Sequence, residues 1–75
     1  MREKIVVTLK EYYGAQILQH KLNIDIMLAN PTAIPEHENF TGAIDKELSA
    51  LVDAHDKLQA LHQYFIIPKE LSEGY

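Results

Sequence analysis

The sequence predicts an all-α fold. We expect a two-helix antiparallel hairpin with helices at about 3–29 and 36–65, a turn at 30–35 and a tail at 66–75, assembling as a dimeric four-helix bundle. Three observations point there. Prolines and Asn30 break the chain once near its middle. Apolar residues recur at three-and-four spacing on both sides of the break. The apolar surface is also wider than the single stripe per helix that a hairpin can bury.

The first helix ends at Asn30-Pro31, because proline lacks an amide donor and pushes the preceding residue out of the helical region. Asn30 suits a helix C-terminus through its tolerance of the left-handed conformation. Tyr13, Ile17, His20, Ile24 and Met27 step by four and three, and Val6 and Leu9 extend the stripe backward. Ile5 to Leu9 is rich in β-branched residues and could be read as a strand. A lone strand would have no sheet to join, so helix is the better reading.

The second helix opens after Ile34-Pro35, with Pro35 fit for a first turn and Glu36 and Glu38 set to complement the helix dipole. Its heptad seam, of the kind found in a coiled coil, runs Ile44, Leu48, Leu51, His55, Leu58, His62 and Phe65. Ala43, Ala50, Ala54 and Leu61 flank that seam on one side and Val52 on the other. Gly42 offers an alternative, later start, with Asn39 or Thr41 as the cap. Gly14 and Gly42 are expected as tolerated small residues inside the helices, with a close helix contact as one reason for them. Pro68 closes the helix.

The dimer follows from the first helix. A second apolar row, Ala15, Leu18, Leu22, Ile26 and Ala29, lies far around the axis from the seam. A hairpin gives each helix one neighbour, and 75 residues without cysteine have no staple except oligomerisation, as a homodimer or a higher oligomer of the same hairpin. The expected dimer core is Ile17, Leu18, Leu22, Ile24, Ile26, Leu51 and Leu58. Charge divides by half. Residues 1–30 carry four basic and three acidic side chains, and residues 31–75 carry three basic and eight acidic ones. Antiparallel packing sets the more basic helix beside the acidic one.

Composition bounds the function. A chain that is 47% apolar and 24% charged is a folded single domain. Its longest apolar runs, such as Ile26 to Ala29, are far short of the about 20 residues of a spanning helix, so no membrane partner is expected. No signal-peptide core appears near Met1. A net charge of −4 argues against nucleic acid. The expected setting is cytoplasmic.

Four histidines are the one enrichment that could carry chemistry. Metal ligands on helices come in i,i+3 or i,i+4 pairs. His20, His55 and His62 have no carboxylate or second histidine at those offsets, so neither metal nor cofactor is expected. If the turn centres near residues 32–33, His20 falls near Asp45, Lys46 or Glu47, and His55 falls opposite Tyr12 or Tyr13. A seam histidine bonded to such a partner fixes register and titrates near neutral pH. Alternatively His20, His55, Tyr12 and Tyr13 line an intersubunit pocket for a small ligand. No nucleophile constellation, phosphate loop or zinc-protease motif is present, so the chain is not expected to be an enzyme. Tyr64, Phe65, Ile66, Ile67, Leu71 and Tyr75 make an apolar C-terminal end that could pack on the bundle or anchor a protein partner.

The segment Asn30-Pro31-Thr32-Ala33-Ile34-Pro35-Glu36-His37, then Ala43-Ile44-Asp45-x-Glu47-Leu48, then Asp56-Lys57-Leu58-x-x-Leu61 to Tyr64-Phe65, resembles small uncharacterised helical-hairpin proteins of tailed, myovirus-type bacteriophages. The resemblance covers about half the chain. It implies an accessory protein that acts by binding a host or phage protein in the host cytoplasm, or a minor structural component of the virion. It transfers no catalytic residue.

Overall fold

The computed structural model describes residues 1–30 and 39–66. Two helices make the described fold: α1, Arg2–Ala29, and α2, Phe40–Phe65. The expected turn at 31–35, the start of the second helix at Glu36 and the tail beyond Ile66 lie outside the described residues.

Helix α1 runs unbroken through Ile5 to Leu9, so the β-branched cluster does not interrupt it. At its end the Asn30 amide donates to the Ile26 carbonyl at 3.0 Å. Asn30 keeps a φ of −133°, so the left-handed cap expected there is not used. The described part of α2 follows Asn39, which has φ −99° and ψ 0° and makes no side-chain capping bond. It ends where Ile66 turns extended, at φ −107° and ψ 110°, two residues before Pro68. A following proline favours such a departure from helical geometry.

The helices pack side by side and antiparallel. The Arg2 guanidinium donates to the Phe65 carbonyl at one end, and His20 meets Glu47 nearer the other. The molecule measures 49 × 20 × 16 Å. Its length matches a helix of 28 residues, at about 42 Å, and its section matches two helices laid together.

The face of α1 turned to α2 is the expected stripe: Val6, Leu9, Tyr13, Ile17, His20, Ile24 and Met27 are all half-buried. The face of α2 is a correction. Ala43, Glu47, Ala50, Ala54 and Leu61 lie on the contact line, with Ile44, Leu51 and Leu58 beside it. Leu48, His55 and Phe65, placed in the seam by the heptad reading, are exposed. The seam is thus rotated by roughly 60° at 100° per residue. Alanine explains the shift. Short side chains let two helices approach closely, and the larger residues then pack beside the contact line rather than on it.

Little is fully buried. Ala54 is 2% exposed, Ile66 4% and Leu61 7%, and these are the only buried apolar residues among those described. The accessible surface is 5778 Å², against about 4,700 Å² for a compact monomer of this mass. Neither Gly14 nor Gly42 marks a close contact: a Cβ built on either meets nothing within 4 Å.

Candidate functional site

The site is built from a polar clamp inside the hairpin and two apolar surfaces outside it. The clamp fixes which faces point outward.

Glu47 stands on the α2 contact line, where an apolar residue would otherwise sit. Its Oε1 lies 2.9 Å from His20 Nδ1 and accepts from Asn23 Nδ2 at 2.8 Å. Asn23 Oδ1 in turn accepts from Gln19 Nε2 at 3.2 Å. A carboxylate can only accept, so this contact requires a proton on His20 Nδ1. Helical spacing brings the α1 members together, because residues three and four apart share a face. The hydrogen bond from His20, and then that from Asn23, hold the Glu47 carboxyl below the usual glutamate range. A part-buried polar group with its partners in place favours one register over its neighbours.

A second set of contacts holds the other end. Arg2 satisfies the Phe65 carbonyl, one of the four that a helix C-terminus leaves open. Lys57 pairs with Asp53 one turn away at 2.9 Å, and that hydrogen bond raises the ammonium pKa, with smaller help from Tyr13 and Tyr12. The Tyr12 and Tyr13 rings lie 5.6 Å apart, tilted by 57°. Both Lys57 and Asp53 are more than half exposed, so this pair contributes little to stability.

The proposed pocket residues are not gathered within one chain. His20 is engaged by Glu47, whereas His55 is half-exposed with Nδ1 3.7 Å from Asp56 Oδ1. Tyr12 is exposed and Tyr13 half-buried beside the contact line. A shallow depression lined by His55, Leu58, Gln59, His62 and Gln63 belongs to α2 alone. Among the described residues, no three His, Asp or Glu side chains come together in a way that could hold a metal ion. No described helix is long and apolar enough to cross a membrane.

The candidate partner-binding end divides. Tyr64 and Phe65 are exposed. Ile66 is buried, as the packing alternative has it, and so is not an outward anchor. Ile67, Leu71 and Tyr75 lie outside the described residues. Nothing in the apolar run separates Ile66 from its neighbours, so which of its residues would pack was not legible.

The candidate dimer core also divides. Ile17, Ile24, Leu51 and Leu58 are half-buried between the two helices of one chain. Leu18, Leu22 and Ile26 are 68%, 54% and 51% exposed, and Ala15 and Ala29 beside them are exposed too. This outer row lies about 180° around α1 from the face that meets α2. A smaller uncovered patch on the flank of α2 holds Leu48 and Val52. Single exposed apolar residues are ordinary, but a contiguous helical row of them is not. Comparison with protein-family models, with curated proteins and with solved structures finds no match for the chain.

Proposed function

We propose that the chain is a non-enzymatic interaction module: a helical hairpin that pairs with a second copy as a four-helix assembly and, in that state, binds a protein partner. The uncovered row of α1 is the observation that carries this reading. Leu18, Leu22 and Ile26 stand in solvent in a chain that buries only three apolar residues among those described.

The protein partner is read from the end of α2, where Tyr64 and Phe65 present two aromatic side chains. Aromatic residues of this kind are common anchors at protein interfaces. The motif likeness to phage proteins favours a host or phage protein as that partner, met in the cytoplasm of an infected cell. The chain's contribution on this reading is binding energy and geometry alone.

Light scattering at micromolar concentration tests the reading. The expected mass is twice 8.6 kDa. A mass of one chain would overturn it.

A further inference from the structure

The outer row of α1 has a symmetry of its own. Its residues fall at 15, 18, 22, 26 and 29, so the gaps run three, four, four, three about Leu22. The side chains follow the same order: small, large, large, large, small. Reversing the helix about Leu22 exchanges Ala15 with Ala29 and Leu18 with Ile26, and returns Leu22 to itself. An interface that is its own complement under such a reversal is the requirement for a two-fold dimer.

We propose that two copies pair through α1 alone, antiparallel, about a two-fold axis passing beside Leu22. This rests on the self-association proposed above and names its surface. Each layer then sets Leu18 against the partner's Ile26, with Leu22 meeting its own copy in the middle. Alanine against alanine at both ends lets the helices close together.

Charge on the flank is nearly balanced in this arrangement. Lys21 and Asp25 form an i,i+4 pair at 2.9 Å, and both lie on the same side of the row. Under the two-fold, the order along that flank becomes the partner's Asp25, Lys21, the partner's Lys21, then Asp25. Each ammonium has a carboxylate one turn away on its own helix. Across the interface the partner's Asp25 lies about 3 Å along the axis on one side and the partner's Lys21 about 3 Å on the other, so attraction and repulsion nearly offset. The opposite flank carries the Gln19–Asn23 amide pair, which is polar and uncharged. An apolar row with polar margins is the layout of a specific interface. The competing surface, Leu48 and Val52 on α2, has no such order.

The absence of cysteine makes the test clean. Ala15→Cys and Ala29→Cys chains are prepared separately, mixed, and exposed to a short bis-maleimide. In the proposed dimer the two positions face each other across chains, whereas like positions lie about 21 Å apart along the axis. The mixture should crosslink at least about tenfold faster than either variant alone, because held neighbours react at millimolar rather than micromolar effective concentration. Alanine to cysteine is a small change on an exposed face, and circular dichroism checks that each variant stays helical. Equal crosslinking of each variant by itself would mean a parallel pair and overturn the proposal. A dimer by light scattering that crosslinks only through Val52→Cys would also overturn it, while leaving self-association standing. A monomer by light scattering would remove both.

Discussion

Glu47 is the residue on which the hairpin's register turns. It occupies a contact-line position and draws two side chains from α1, His20 and Asn23. Its carboxyl is held below the usual range. A group with a lowered folded pKa contributes its full stability above its unfolded pKa, about 4.3 for glutamate, and loses it as pH falls through the folded value. Glu47→Gln removes that titration. We predict that wild type is the more stable at pH 7 and that the difference shrinks as pH falls below the unfolded value through the lowered folded one. Urea melts of both proteins at pH 7 and in acid check this, and a gap that persists in acid would contradict it. The acidic partner of His20 was legible from the sequence to within three residues, because an antiparallel hairpin pairs positions of nearly constant sum. Asn23 was not foreseen. Its signal was its offset of three from His20, which puts both on one face of the helix.

Gly14 belongs to the same scale. It sits in mid-helix with open space where a Cβ would be. Gly14→Ala should therefore raise stability by about 0.5–1 kcal/mol, through helix propensity and a less flexible unfolded chain. Chemical denaturation measures it, and a loss of stability would show that another surface packs against that position.

At the scale of the element, α1 was readable and α2 was misread by part of a turn. Helix α1 has bulky residues on its contact face, so the three-and-four pattern of large apolar side chains points at its neighbour. In α2 the contact line is Ala43, Ala50 and Ala54, which a pattern built on large residues counts as flank. Burial also depends on how near the backbones come, and only the packed pair determines that. The two readings separate by mutation. Leu61 is buried and Leu48 exposed, although the heptad reading put Leu48 in the seam and Leu61 beside it. Leu61→Ala should cost about 2 kcal/mol or slightly more, at the low end for a buried leucine because the small core can relax around it. Leu48→Ala should change stability by less than about 0.5 kcal/mol. Thermal or urea melts of the pair decide, and equal costs would restore the heptad seam.

At the scale of the whole molecule, the quantity that matters is apolar surface without a neighbour. Hydrophobic residues on two opposed faces of one helix leave one face in water whenever the chain supplies a single partner helix. The hairpin does this to α1, with Leu18, Leu22 and Ile26 outermost. The sequence made the second row visible, because its spacing is helical and its position around the axis follows from 100° per residue. Which row would meet α2 was only partly legible, because Ile17 and Ile24 of the inner stripe were also expected in the dimer core. The identity of a protein partner was not, because two aromatic side chains at the end of a helix define a contact without defining what it meets.

The central claim is that a second copy covers the outer row, so folding should be coupled to association. Stability then depends on protein concentration by mass action. Each tenfold rise in concentration adds about 1.4 kcal/mol, worth roughly 3–6 °C in Tm for a unit of two chains. Thermal melts followed by circular dichroism over a hundredfold range of concentration make the measurement. The account predicts a Tm that climbs steadily with concentration; a Tm that stays constant across that range would contradict it.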